Sequence, residues 1–420
     1  MRFPKRRRRR RAPKPASGGS ADSIPDDILF SQILVLLPVK CLMRLRTVCR
    51  LWRDTIASDF SVHQHLELSK TSSRSSMVIV PRKYQRNHLK VGVRFLNIYS
   101  FQPERSNVAE LMLQKQFPNG IPVWSMPLHC DGLILIPCLA GEIFVCNPAT
   151  KEFVELPQGS CNITSEQRVA LGFDPWSGNY KVAKHFIRSY DEAIVDGVRT
   201  VIGYNAGHEI LTLGDGSKET WKWRATMDPP YPIKARTPIC LPGFFYWSAV
   251  ESVADSGHGH GKVSISDVIL RFSLRDETFT VHPNPPCRSF VSTSDVLCEL
   301  GGKLCYLHSA SPLDVAIWLA EDGPNLTWSL RCRVDILPIP RHHRVFACSS
   351  TDQDKIYLSV DACDLFKCNP RDGSLEAIIN MRHGLMYDHG NGVKFSTGTL
   401  PISHYMVPFV ESLVRIRPWL

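Results

Sequence analysis

The sequence predicts a multi-domain, mostly β protein: a short all-α segment near the N-terminus, followed by a β-propeller of about six blades. Three observations lead there. Residues 23–62 carry apolar side chains at steps of three and four. From Met77 onward the pattern changes to short runs of β-forming residues separated by turn residues. One strand–turn–strand unit then recurs six times at a period of about fifty residues.

The helical segment comes first. Ser23 can cap a helix, Pro25 suits a first helical position, and Asp26 and Asp27 complement the positive helix end. Ile28, Leu29, Ile33, Leu36 and Leu37 follow at helical spacing until Pro38 breaks the run. Leu42, Leu45, Cys49, Trp52 and Ile56 form a second periodic stretch. Helices this short bury little area alone, so they bury it against each other and against a partner.

The segment resembles the F-box. The resemblance rests on Ile24-Pro25, Asp27, Ile28, Ile33-Leu34, Leu37-Pro38-Val39-Lys40, Leu42, Arg44, Arg46, Val48-Cys49-Arg50, Trp52-Arg53, Ile56 and Phe60, in matching order and spacing. Helical periodicity alone, as in a hairpin packed on its own chain, does not reproduce the LPVK and VCRLWR strings. The family more often has leucine, glutamate, arginine, serine and lysine at the positions held here by Ile24, Gln32, Leu36, Cys41 and Arg50. The resemblance implies binding to a Skp-type adaptor through Ile24, Pro25, Ile28, Leu29, Ile33, Leu37, Pro38, Leu42, Leu45, Val48, Cys49 and Trp52.

A chain of 420 residues exceeds one ordinary domain. Its formal charge of +10 misleads, because nine of the 50 basic residues lie in positions 1–20, which hold no acid. The rest carries 41 basic and 40 acidic residues, so the body gives no electrostatic case for wrapping nucleic acid. Residues 1–22 read as a disordered basic tail, and Lys5 to Arg11 fit a nuclear-import signal. The expected location is nucleus, cytoplasm or both, with no membrane span and no secretory leader. The 14 cysteines lack a CxxC pair, which points away from zinc and toward small buried hydrophobes in a reducing compartment. Residues 63–76 read as a polar linker ahead of a propeller spanning 77–420.

Expected strands include Met77–Val80, Val91–Ile98, Leu133–Ile136, Ile143–Cys146, Lys181–Phe186, Phe244–Trp247 and Ile356–Val360. The six copies of the unit put their first apolar residue after the turn at Val108, Phe153, Trp221, Phe279, Trp328 and Leu375. The long interval after Phe153 and the stretch 251–266 read as loop insertions. Gly301-Gly302 with Tyr306 and Trp328 looks like one kelch repeat. CNPATKEFVELP followed by LGFDPWSGNYKVAKHF looks like the F-box-associated domain of plant F-box proteins. A β-sandwich, the rival fold, would not explain six copies of one unit. Met406–Ile416 is expected to pair with strands near Val91–Val108 and close the ring, with Pro408 at an edge or bulge; a terminal helix on the F-box is the alternative.

No constellation argues for catalysis or a cofactor. His258 and His260 in a glycine run, and His342-His343, read as surface loops, not metal ligands. Trp221, Trp223, Trp247 and Trp328 read as core. The two resemblances together imply a non-catalytic substrate-recognition subunit of a Skp–cullin–F-box ubiquitin ligase. It would hold the adaptor, and through it cullin and RING subunits, by the F-box and present a target protein on the propeller. The sequence does not name the target-binding residues. The competing readings are a carbohydrate-binding or enzymatic propeller with an accessory F-box, and a nucleic-acid binder acting through the tail.

Overall fold

The computed structural model describes residues 28–71, 76–83, 93–103, 105–121, 128–164, 168–195, 198–214, 221–234, 236–254, 263–287, 295–311, 314–321, 323, 325–336, 345–348, 356–400 and 402–416. The basic tail, Ile24, Pro25, His258, His260, His342 and His343 lie outside them.

The helical segment opens with a π-helical turn, Leu29–Ile33, and a 3-10 turn, Leu34–Leu36. Pro38 ends that run and sits at the N-cap of α1, Val39–Leu45. Helices α2, Arg50–Ile56, and α3, Asp59–Thr71, follow. The Ser58 hydroxyl accepts a hydrogen bond from the Ser61 amide at 3.3 Å, which caps α3. The stretch expected as a linker, 63–76, is therefore helical as far as Thr71. Its polar composition hid the spacing of Val62, His65 and Leu66. His65 and Leu66 are buried, and Val62 packs into the cluster that holds Leu66.

Six sheets follow. Blade 1 contains β1 (Met77–Lys83), β2 (Val93–Phe101) and β3 (Val108–Ile121). Blade 2 is β4 (Leu128–Cys130), β5 (Leu133–Pro137), β6 (Ile143–Asn147) and β7 (Glu152–Glu155). Blade 3 is β8 (Arg168–Asp174), β9 (Asn179–Val195), β10 (Val198–Leu213) and β11 (Arg224–Ala225). Blade 4 is β12 (Ile239–Leu241), β13 (Phe244–Ala254), β14 (Val263–Ser273) and β15 (Phe279–Pro283). Blade 5 is β16 (Val296–Leu300), β17 (Lys303–Ser311), β18 (Asp314–Glu321) and β19 (Thr327–Asp335). Blade 6 is β20 (Val345–Cys348), β21 (Ile356–Val360), β22 (Asp364–Cys368) and β23 (Leu375–Asn380). Strands β24 (Met386–Asp388) and β25 (Lys394–Phe395) extend blade 1 on its β3 side, and β26 (Ile402–Pro408) completes it.

The six-fold repeat of the sequence is the outer strand of each blade. Val108, Phe279 and Leu375 begin β3, β15 and β23; Phe153 and Trp328 lie in β7 and β19; Trp221 stands just ahead of β11. Each inner strand lies beside the next around the ring: β4 by β8, β8 by β12, β12 by β16, β16 by β20 and β20 by β26. Successive side chains of a strand face opposite sides, so each blade feeds two seams. Met77 and Ile79 of β1 pack with Tyr357 and Leu365 of blade 6. Val78 and Val80 pack with Ile134 and Ile136 of blade 2. Trp221 and Trp247 are buried, and Trp223 and Trp328 pack at seam edges, in keeping with a core role.

Ring closure uses the C-terminus, but in a different register from that expected. β26 pairs antiparallel with β1, placing Val78 opposite Val407 and Val80 opposite Tyr405. It does not pair with 91–108, because β2 already has β1 and β3 on its two sides. The free edge belonged to β1. Pro408 ends this edge strand, where a missing N–H costs no ladder bond. Residues 409–416 are neither strand nor helix.

Where they are described, the expected insertions are mostly strand, and residues 255–262 lie outside the described ones. β9 and β10 run 17 and 16 residues. β13 and β14 stay paired out to Ala254 and Val263. A loop reading from 251 failed because the ladder continues through polar residues once the inner part of the hairpin is buried.

Burial makes this ring acid-sensitive. His185 and His208 face each other across β9 and β10, and burial pushes each imidazole down to about 3. Burial pushes His404 of β26 down to about 4. An unfolded imidazole titrates near 6.5, so as pH falls the unfolded chain takes up these protons first. Stability is thus full above about pH 6.5 and is lost progressively toward pH 3. The denaturant midpoint at pH 5 should lie below that at pH 7, corresponding to roughly 2 kcal/mol of unfolding free energy per histidine. Equal midpoints would refute burial of these three rings as neutral groups.

Candidate functional site: an apolar helical face clamped to the propeller

Helical spacing puts two sets of apolar side chains on residues 28–60. One set closes inward: Leu34, Val39, Leu42 and Ile56 are buried together with Leu413 from the far end of the chain. Leu37, Met43, Leu45, Trp52 and Ala149 pack partly buried against them. The other set stays in solvent. Leu36 is 68% exposed, Val48 61% and Phe60 69%, with Ile28, Ile33 and Leu51 also exposed. Seven of the 19 large apolar side chains exposed among the described residues lie in 28–71, a higher density than along the rest of the described chain.

The expected adaptor contacts therefore divide. Ile28, Ile33, Pro38, Val48 and Cys49 are exposed, and Leu29, Leu37, Leu45 and Trp52 are half-buried. Leu42, at 2% exposure, belongs to the internal core and supports the face without being part of it. A step of three or four identifies a helical stripe but not which of two stripes meets solvent. Leu36 and Leu51 were outside the expected set and are on the exposed one.

The clamp is the extended segment Phe409–Ile416. The Asn147 amide, at the end of β6, donates to the carbonyls of Ser412 at 3.0 Å and Val414 at 2.8 Å. The Ile416 amide donates to Glu152 at 3.1 Å, and the Ser412 hydroxyl donates to the Asp131 carbonyl. On the helical side, the Arg415 guanidinium donates to the Ala57 carbonyl and reaches Asp59 at 3.5 Å. Burial pushes the Glu411 carboxyl up, while a hydrogen bond from the Val39 amide at the start of α1 opposes the shift. That bond supplies the α1 terminus with an acceptor that Pro38 lacks. Lys70 of α3 pairs with Asp131 at 3.0 Å, and Leu66 of α3 packs with Val414 and Ile416 in the seam of blades 2 and 3. Gly132 adopts φ +88, and a Cβ there would run into Ser412 and the Val410 carbonyl, so the β4–β5 turn needs glycine for the segment to lie against it.

Sequence analysis singled out the string at Asn147 and the stretch Met406–Ile416, but not that they meet. Cutting Leu413 to alanine should cost about 2–5 kcal/mol of helical-segment anchoring. Amide exchange in α1 and α2 should rise while blades 4 to 6 keep their protection. Unchanged exchange in α1 would mean the helices hold their place without the clamp.

Among the described residues no three His, Cys, Asp or Glu side chains are grouped to hold a metal ion, and no helix is long and apolar enough to cross a membrane. The buried ionic groups serve packing: Lys184 donates to the Ser160 carbonyl at 2.6 Å and pairs with Glu209, tying the chain between blades 2 and 3 to the sheet.

A solvent-facing apolar helical face locked to a six-bladed ring defines a two-part protein. Family comparison identifies both parts: an F-box-like model matches residues 21–69, and the F-box associated beta propeller domain matches 83–368. The chain belongs to the plant-type F-box proteins that carry this propeller. F-box protein At3g07870 of Arabidopsis thaliana is 25% identical over 326 residues, covering 74% of this chain and 72% of the relative. F-box protein At5g18160 is 29% identical over 314 residues, with coverages of 74% and 69%. F-box protein At1g47810 is 24% identical over 342 residues, with coverages of 76% and 89%. Among solved structures, the oligogalacturonate lyase of Vibrio parahaemolyticus overlaps at a TM-score of 0.38 and 10% identity, over 72% of this chain and 79% of the lyase, too loosely to carry a functional argument.

Proposed function

We propose that this protein is the substrate-recruiting subunit of a Skp–cullin–F-box ubiquitin ligase. The observation that carries this reading is the exposed apolar face of the F-box held rigidly on the propeller. F-box segments bind Skp-type adaptors in general, and Ile28, Ile33, Leu36, Val48 and Leu51 offer that partner solvent-facing anchors. The adaptor would bring a cullin and a RING subunit. This chain contributes proximity: a target held on a rigid arm presents its lysines to the conjugating enzyme at raised effective concentration.

The topology favours one face of the ring for the target. The clamp contacts the β4–β5 and β6–β7 turns, which lie at one end of blade 2 because successive strands alternate in direction. Second-to-third strand connections lie at the other end. The elongated β9–β10 and β13–β14 hairpins are connections of that kind, so they project away from the F-box. We assign the target to that face. The basic tail, Lys5 to Arg11, would serve nuclear import.

The test is reconstitution. The purified chain, mixed with a Skp-type adaptor, should elute as a one-to-one complex, and adding cullin and RING subunits should extend it. A chain that stays alone at micromolar adaptor would overturn the assignment.

A further inference from the structure

The β9–β10 hairpin outgrows the sheet it belongs to. β8 pairs with β9 only as far as His185, and β11 pairs with β10 only at Glu209 and Ile210. The segment at Asn162 and Ile163 covers the β9 edge a little further. The Ile187 amide donates to the Asn162 side chain at 3.0 Å, and the Ile163 amide donates to the Ile187 carbonyl at 3.1 Å. Beyond that, residues 189–195 of β9 pair with 198–205 of β10 and, among the described residues, with nothing else. The base of this ribbon is fixed. Arg188 donates to both carboxylate oxygens of Asp228, at 2.9 and 3.2 Å, and lies over the Phe186 ring at 5.2 Å. Gly207 leaves room for that packing, since a Cβ there would run into Phe186 and Arg188. The free part carries an apolar face. Tyr190 and Tyr204 stand directly opposite each other, edge to face at 5.5 Å, and both are exposed. Ile194 shares the face of Tyr190 and is 76% exposed. Asp191 faces the other way and is exposed as well. Gly203 stands opposite it, so β10 offers that carboxylate no side chain.

Two strands alone are marginal in water, and an open edge beside apolar side chains invites a third. The two edges of the ribbon are not equivalent. The register shift between Val201 and Gly203 puts an extra residue on β10, which interrupts its row of N–H and C=O groups. β9 runs unbroken from Ser189 to Val195. We propose that the β9 edge at 189–195 takes up the target as an added strand. The matching segment is extended and has apolar or aromatic side chains at alternate positions, which lie beside Tyr190 and Ile194. Between two of them it carries a lysine or arginine that meets Asp191. Main-chain hydrogen bonds hold the strand, while the tyrosines and the carboxylate choose its register. This specifies the target chemistry for the ligase reading above and rests on that reading.

The experiment selects phage-displayed random peptides of about twelve residues on the immobilised full chain and resynthesises the enriched ones. They should alternate apolar with polar residues and carry a basic residue at one fixed polar position. Methylating one alternate set of peptide amides should weaken binding at least about tenfold, and methylating the other set should change it little, because only every second N–H of an added strand faces β9. Bound peptide should protect the amides of 189–195 from exchange. Tyr190→Ala should weaken binding about tenfold, and selection on Asp191→Lys should replace the basic residue by an acidic one. Both positions are exposed, so neither change endangers the fold. Peptides that tolerate both methylated sets or neither, protection confined to other residues, or no enrichment would overturn the proposal. So would a chain that sediments as a dimer with 189–195 protected, since the occupant would then be a second copy. Adaptor binding is measured on the same preparations. A chain that binds adaptor but no strand refutes only this inference, and one that binds the strand but no adaptor leaves the strand site standing and refutes the ligase reading.

Discussion

A chain carrying Ile33→Asp and Val48→Asp should lose adaptor binding by at least about 100-fold while its propeller melts unchanged. Both side chains are exposed in the free protein, so a carboxylate there stays hydrated and costs the fold little. In a complex the same carboxylates would be buried against apolar partner surface without a counter-charge, which is expensive. Titration of labelled adaptor against the wild-type and double-variant chains measures the difference. Leu42→Ala is the informative contrast. Leu42 touches no solvent, so its loss should lower the stability of the helical segment by about 2–5 kcal/mol and weaken binding only as far as that segment unfolds. Tight binding by the double Asp variant would place the docking face elsewhere on the chain. The change Leu37→Ala with Pro38→Ala would be harder to interpret, because Leu37 also packs on the internal core.

Ending the chain after Gly398 should prevent the propeller from folding. The cut removes β26 and the clamp, and with them the buried side chains of Tyr405, Met406, Val407, Phe409, Leu413, Val414 and Ile416. At about 1.5–3 kcal/mol for each, the lost burial is on the order of 10–20 kcal/mol. A domain's whole net stability is about 5–15 kcal/mol. The cut also opens the β1 edge, leaving Val78 and Val80 without Val407 and Tyr405 opposite them. Ending the chain after Pro408 should behave differently. The ring would still close through the β1–β26 ladder, while the F-box would lose Leu413 and Arg415. That protein should show a cooperative propeller transition at reduced temperature, with separate early melting of the helices. A Gly398 truncation that melts like the full chain would mean the ring does not depend on its terminal strand.

The two truncations separate what was legible in the sequence from what was not. The apolar period revealed the helices, and the recurring strand–turn–strand unit revealed six blades, because local spacing and turn chemistry are written residue by residue. Trp221 and Trp247 were legible as core for the same reason: their positions repeat with the blades. The F-box strings likewise identified the F-box segment. The third helix was missed because Val62, His65 and Leu66 form a stripe too narrow to stand out among polar neighbours.

The sequence by itself determined the class of the elements, the order of helices before blades and the identity of the F-box segment. Tertiary structure alone decided which of two apolar stripes on that segment faces solvent, since Leu36 and Leu42 have the same chemistry and differ only in what covers them. It also decided the register of ring closure, because the edge left free by β1 is a property of the assembled sheet. The grip of Asn147 on Ser412 and Val414 arises the same way. Each joins positions far apart in the chain, and no period in a sequence encodes which distant groups a closed ring brings together.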